Sequence, residues 1–339
     1  MMEISGYIIE LENAAMIIKE KGYKTIAVQV PEGLKRSIFP LVEFLKKETA
    51  ATVLVSADLC FGACDVINYE LRNMDVDCVI HIGHTAIADV ENFWIPTIFV
   101  NAQSTMDVSK VVEKAIPLLE GKKIGLVTTA QHLHTLETVA GILKKHNLEP
   151  FIAEGDERIA VKGQVLGCNF SVGAKIAEHV DCFLFVGSGT FHPVGLLMST
   201  KKPVIAADPY TTTVKKQEIE DMKNNMLRQR YGAIIACRNA RRFGILIGVK
   251  RGQQRIKLAY EIQQMLDSAG KHSLMITQDE FSPVSLQRFD LDCYVSTACP
   301  RIAIDDYLQY KKPIITPVEL EIVLGRREWE TYVFDEILS

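Results

Sequence analysis

Apolar runs of strand length, each opened by an aspartate and closed by small residues, punctuate the chain three times. Asp77-Cys78-Val79-Ile80-His81-Ile82-Gly83-His84 returns as Asp181-Cys182-Phe183-Leu184-Phe185-Val186-Gly187-Ser188 and again as Asp292-Cys293-Tyr294-Val295-Ser296-Thr297-Ala298-Cys299. Short continuous apolar runs bounded by turn residues read as strands buried on both faces. A second strand follows each copy and starts at a proline: Pro96-Thr97-Ile98-Phe99-Val100, Pro203-Val204-Ile205-Ala206 and Pro313-Ile314-Ile315. Proline cannot donate to a ladder, so the first residue of a strand suits it. The copies are spaced by roughly a hundred residues, too long for a solenoid repeat and right for a whole small domain.

Helical periodicity fills the intervals. Apolar spacing at Ile8, Leu11, Ala15 and Ile18 predicts a helix over 7–21, and Thr25–Val30 predicts the first strand. A helix running to Lys47 is expected to kink or break at Pro40. The strand Thr52–Val55 empties into Asp58-Leu59-Cys60-Phe61-Gly62-Ala63-Cys64-Asp65, from which a short helix is expected to reach Asp77. The second span repeats the order: helix 106–120, strand Lys123–Val127, helix to His146, strand Pro150–Ala153, helix 171–179. Residues 215–240 predict a long helix, followed by strand Phe243–Gly248, helix 253–268, strand Ser273–Ile276 and an amphipathic, mostly helical tail. Strand–loop–helix alternation of this kind predicts α/β architecture: three similar Rossmann-like units with parallel sheets, over 1–104, 105–214 and 215–339, arranged around a pseudo-threefold centre. Sites on such units are built at the carboxyl ends of the strands.

Composition refines this only a little. The 339 residues are 48% hydrophobic and 24% charged, with a net charge of −4, so nothing pulls the whole chain towards nucleic acid. No run is long and apolar enough for a membrane span, and no basic leader precedes an apolar core, so a cytoplasmic location is expected. Eight cysteines are too few for a disulfide scaffold in a chain of this size. Cys78, Cys182, Cys237 and Cys293 sit in or beside apolar runs and read as core thiols.

Cys60, Cys168 and Cys299 each lie in a loop, one per unit. Three thiolates meeting at one point would suit zinc or an iron–sulfur cluster, while three small buried hydrophobes would give the same residues. Neither zinc-finger nor ferredoxin spacing is present. Cys64, four residues after Cys60, is the alternative to it.

The loops Val30-Pro31-Glu32-Gly33-Leu34, Asp58–Asp65, Gly167-Cys168-Asn169 and Ser296-Thr297-Ala298-Cys299-Pro300-Arg301-Ile302, with the three repeats, resemble the archaeal 2-(3-amino-3-carboxypropyl)histidine synthase family across essentially the whole chain. That resemblance implies a [4Fe-4S] cluster held by Cys60, Cys168 and Cys299, with one iron open to S-adenosylmethionine. It further implies cleavage of the S–Cγ bond and transfer of a 3-amino-3-carboxypropyl group to imidazole C2 of a histidine in the translocating elongation factor. Methylthioadenosine leaves, and archaeal members act as homodimers supplied by an electron donor. The usual radical S-adenosylmethionine signature is absent, since position 67 is isoleucine.

Around that centre, Glu32, Gly33, His84, Gly187, Ser188 and Arg301 are the candidate contacts to S-adenosylmethionine, Arg301 through the substrate carboxylate. Each also has a structural reading: an acid at a helix start, glycine turns, a surface ion pair. His132 and His134 are expected to pack or cap. Seven basic residues between Arg238 and Lys257 are expected on a solvated face or against an acidic protein partner. Two rivals stand beside this reading: a quinolinate synthase-like cluster enzyme, and a non-catalytic zinc- or cluster-bearing redox sensor.

Overall fold

The computed structural model describes residues 1–87 and 93–338. The chain opens with a hairpin, β1 (Met2–Ile4) and β2 (Tyr7–Ile9), turning through Ser5 and Gly6 at positive φ. The helix expected from residue 7 therefore starts only at Glu12 and runs to Lys21. Tyr7-Ile8-Ile9 is a β-branched, aromatic run, and its pairing with residues 102–104 overrides the helical period.

The first parallel sheet contains β3 (Thr25–Gln29), β4 (Thr52–Val55), β5 (Cys78–Ile82) and β6 (Thr97–Val100) in the order β4-β3-β5-β6. β7 (Ala102–Ser104) returns to the hairpin. The second sheet has β8 (Lys123–Thr128), β9 (Glu149–Phe151), β10 (Cys182–Val186) and β11 (Val204–Asp208) in the order β9-β8-β10-β11. An unforeseen antiparallel edge, β12 (Thr213–Lys215), extends it. The third has β13 (Arg242–Gly248), β14 (His272–Gln278), β15 (Cys293–Ser296) and β16 (Ile314–Ile315) in the order β14-β13-β15-β16. One strand order, second–first–third–fourth, thus occurs three times. In each, the direction of travel reverses between the first and third strands, the place where α/β sheets open a crevice.

The repeated aspartate has a structural cause. Asp77 Oδ2 accepts the backbone N–H groups of Lys24 and Thr25 at 2.6 and 2.9 Å. Asp181 does the same for Lys122 and Lys123, and Asp292 for Arg241 and Arg242, at 2.8 to 2.9 Å. Each carboxylate thereby pins the start of its third strand to the start of its first. The proline carbonyls complete the pattern: Pro96, Pro203 and Pro313 accept from Val79, Phe183 and Tyr294 at 2.8 to 2.9 Å. Cys78, Cys182, Cys237 and Cys293 are wholly buried, as their apolar surroundings required.

Elsewhere local signals yielded to tertiary ones. The helix break precedes Pro40: helices Glu32–Lys35 and Phe39–Thr49 flank it, and Pro40 occupies the first turn of the second, where no N–H is needed. No helix spans 66–77. Gln29 Oε1 accepts Ile67 N–H and Glu70 Oε2 accepts Asn68 N–H, so side chains take up groups a helical ladder would have used, while the Asn68 side chain exchanges two bonds with the backbone of Ile95. The long helix is Gln217–Cys237. Among the described residues the tail holds one short α-helix, Pro317–Val323, with a Thr316–Glu319 capping box, and a 3-10 turn, Trp329–Thr331. Residues 332–338 are irregular because their polar groups bond other segments: Ile337 N–H donates to Cys168 O at 2.7 Å, and Glu336 accepts from Phe170 N–H at 2.7 Å. Ile304, Ile322 and Phe334 share one core with Phe170 and Phe183 of the second sheet. No helix among the described residues is long and apolar enough to cross a membrane.

Candidate metal centre

Five of the eight cysteines are buried, and three are partly exposed: Cys64, Cys168 and Cys299, one from each sheet's loops. A turn or a strand end presents each of them. Cys64 lies in the 3-10 turn Ala63–Asp65, held by Asp65, which pairs with Lys250 at 2.8 Å. Cys168 occupies a tight turn closed by reciprocal backbone bonds between Leu166 and Asn169 at 3.1 and 3.3 Å. Cys299 follows β15, where Arg255 grips the carbonyls of Thr297 and Ala298 at 2.8 and 3.0 Å.

The three thiols feel one another. Burial raises the Cys168 thiol, and Cys64 and Cys299 raise it further. Burial pushes Cys299 up to about 12, with Cys64 the next contributor. Arg158 pulls Cys64 and Cys168 down, Arg255 acts on Cys168, and Arg301 on Cys299. Clustered thiols that resist ionisation one by one, ringed by guanidinium groups, suit a cation that binds all three and releases their protons. Three soft sulfur donors fit an iron–sulfur cluster with one iron left without a protein thiolate.

Cys60, expected among the ligands, has different company. Its thiol is pushed up to about 12 by burial, then by Asp65 and Cys64. Its sulfur and the ring nitrogens of His81 and His84 lie within 4.8 Å of one another. Those imidazoles are spent on a relay. Gln29 donates from Nε2 to Asp65 O and accepts at Oε1 from His81 Nδ1 (2.9 Å), so His81 Nε2 accepts from His84 Nδ1 (2.9 Å). Burial lowers His81 to about 3 and His84 to about 4, so both are neutral near pH 7. The wholly buried end of this relay packs as core, and His84 stands at the crevice end of β5. Gly83 between them carries φ 94° against the Pro31 ring, an approach open only to glycine.

The loops interlock around the thiols. Thr85 and Gln164 are bonded and buried between the first and second sheets, and Gln131 Nε2 donates to Gly83 O at 2.9 Å. Arg158 Nη2 donates to Gly252 O at 2.8 Å between the second and third. Gln253 Nε2 donates to Cys64 Sγ at 3.5 Å between the third and first, and a Cβ on Gly252 would stand 2.4 Å from Cys64 Cα. Two surface clefts of about 390 and 430 Å³ lie instead against the hairpin and the first helix, and no cysteine lines either.

Of the other expected residues, Gly33 and Ser188 are exposed, and Gly187 follows β10 at φ 154° against Phe185. Glu32 pairs with Lys35, whose ammonium also holds Ala57 O and Asp58 O at 2.9 and 2.6 Å ahead of Cys60. Arg301 pairs with Asp305 at 2.6 Å and lies over the Phe191 ring at 4.1 Å. His132 packs, edge-on to Tyr210. The basic stretch is not a solvated face throughout: Arg242 pairs with Asp290, Lys250 with Asp65 and Arg255 with Asp335. In the sequence Arg255 stands out only as one of the basic stretch, and Arg158 not at all. Neither has a local pattern, and their partners lie 94 and 80 residues away.

The model of a family described as "Putative diphthamide synthesis protein" matches residues 30–333. The chain is 38% identical over 325 residues to the 2-(3-amino-3-carboxypropyl)histidine synthase of Pyrococcus horikoshii, covering 95% of this chain and 91% of that protein. It is 30% identical over 352 aligned positions to the enzyme of the same name from Methanocaldococcus jannaschii, covering 99% and 93%. The crystal structure of Dph2 from Pyrococcus horikoshii with a 4Fe-4S cluster matches with a TM-score of 0.90 at 35% identity, over 98% of this chain and 94% of that one.

Proposed function

The chain belongs to the diphthamide synthesis family, and from that premise we propose that Cys64, Cys168 and Cys299 hold a [4Fe-4S] cluster at which S-adenosylmethionine is cleaved. The reaction is the first step of diphthamide biosynthesis: the 3-amino-3-carboxypropyl group passes to C2 of a histidine in the translocating elongation factor, and methylthioadenosine leaves. The observation that carries this reading is the convergence of three partly exposed thiols, one per sheet, in a chain matched to the family along nearly its whole length. The same observation favours Cys64 over Cys60. Matching along the whole chain also leaves no support for a quinolinate synthase or a bare redox sensor.

When bound, the cluster supplies the electron that a sulfonium needs to lose a carbon substituent, and an open iron to orient it. The chain's own residues do the rest. Lys250–Asp65 and the Gly252–Cys64 contact set the first thiol; the Cys168 turn, tied to the tail through Ile337, sets the second; Arg255 sets the third. Gly33, His84 and Gly187-Ser188, in segments that follow the carboxyl ends of β3, β5 and β10, are proposed to receive the nucleoside and amino acid parts, with Glu32 and Arg301 exchanging present ion-pair partners for the substrate amine and carboxylate. The shared strand order and aspartate pins support three units, over 1–104, 105–214 and 215–339, in pseudo-threefold array. A cytoplasmic homodimer acting on the elongation factor, supplied by an electron donor, completes the proposal.

The test is anaerobic reconstitution, dithionite reduction and addition of S-adenosylmethionine with the elongation factor. Methylthioadenosine and a modified histidine are expected; deoxyadenosine in their place would refute the bond assignment.

A further inference from the structure

We propose that Arg158 donates its Nε–H to a sulfur of the bound cluster beside Cys64 and Cys168 and so sets the cluster's reduction potential. This rests on the cluster reading above. Arg158 is anchored from both sides. Nη2 is fixed on Gly252 O at 2.8 Å, and Gly252 packs its backbone against that of Cys64. Arg158 N–H donates to Asp156 Oδ1 at 3.1 Å, and Asp156 Oδ2 accepts from Asn169 Nδ2 at 2.8 Å, the residue that closes the Cys168 turn. The guanidinium is thus held between the two loops that carry Cys64 and Cys168.

Its Nε is buried with no hydrogen-bond partner among the described residues. Native structures seldom leave a buried donor unpaired, and least of all a charged one, so such a group marks a position where a partner arrives. The local electrostatics agree, since Arg158 lowers both Cys64 and Cys168. Arg255, the neighbouring guanidinium, is not equivalent. Its Nε and both terminal nitrogens are taken by Thr297 O, Ala298 O and Asp335, whose carboxylate also neutralises its charge.

Reduction adds one electron to a centre that already carries three thiolates. A fixed N–H donor and a positive charge favour the more negative state, so Arg158 raises the potential. It acts as a positioning residue, tuning how readily the electron donor can load the centre.

The experiment uses the full chain, reconstituted anaerobically, with the reduced cluster followed by electron paramagnetic resonance through a redox titration. Arg158→Gln is expected to shift the midpoint to more negative values, and Arg158→Lys, which keeps the charge but not the fixed Nε–H, to shift it less. Wild type whose arginines carry 15N at Nε only is expected to show a nitrogen hyperfine coupling to the reduced cluster that Arg158→Lys lacks. Equal midpoints in all three proteins, or no arginine coupling in the wild type, would overturn the proposal. Should neither variant retain iron, the absence of that coupling in the wild type still overturns the proposal. A wild type that takes up no cluster refutes the function itself, whereas a loaded wild type without the coupling refutes only the role of Arg158.

Discussion

Arg230 and Glu319 are both 0% exposed, and between them they fasten the long helix to the third sheet's final helix. Arg230 donates from Nε and Nη2 to the two carboxylate oxygens at 2.8 and 2.6 Å, and also to Ala303 O and Ile314 O at 2.5 and 2.7 Å. Glu319 accepts in addition from Thr316 N–H and Tyr332 O–H. Every donor of consequence is matched, so the pair costs little while intact and much when broken. Arg230→Met would leave a buried carboxylate without its cation and two carbonyls without their donors. Breaking such a pair costs about 3–5 kcal/mol, against a whole-domain stability of about 5–15 kcal/mol. Ala303 lies in the short helix directly after Cys299, so the loss should also loosen the third thiol. The assay is guanidinium denaturation of the cluster-free protein, read as a midpoint shift at unchanged slope. Adding Glu319→Gln to Arg230→Met removes the stranded charge while keeping an acceptor for Thr316 N–H, and should restore more than half of the loss. A single variant costing under about 1 kcal/mol, or a double variant no better than the single, would refute the reasoning.

Cys64→Ser should abolish iron retention after anaerobic reconstitution, whereas Cys60→Ser should keep most of it; the opposite ranking by iron and sulfide analysis returns Cys60 to the centre. Gly252→Ala would drive a methyl into the Cys64 backbone, so we expect a folded protein by circular dichroism with iron content reduced several-fold, and wild-type loading would contradict the packing argument. Asp77, Asp181 and Asp292 are held below the usual carboxylate range chiefly by paired backbone N–H donors. A depressed folded pKa gives stability that is present above the unfolded value of about 4 and lost as pH falls through the folded one. The triple Asp→Asn variant should accordingly show a flatter loss of stability below about pH 4, measured as denaturation midpoint against pH; an unchanged acid limb would sink the assignment.

The threefold repeat was legible in the chain because its causes are local. A strand buried on both faces must be continuously apolar, its opening aspartate must pin a neighbouring strand, and the strand that follows it can start at a proline because no donor is needed there. Those requirements write themselves into eight consecutive residues, and into one proline after them, wherever the unit recurs. The core thiols were legible for the same reason. What the tertiary structure decided was where side chains with two options point. Cys60 and Cys64 stand four residues apart, a spacing that would align them on a helix, but only Ala63–Asp65 is helical there and the loop between turns them to different partners. The segment 7–9 became a strand because residues 102–104 offered it an edge, and 66–77 stayed irregular because the side chains of Gln29 and Glu70 took the N–H groups of Ile67 and Asn68. Arg158, Arg255 and Arg230 gained their roles from groups 73 to 94 residues distant. Hydrophobic period is a property of neighbours in sequence, while the partner of a charge or a thiol is set by which loops the packed sheets bring face to face.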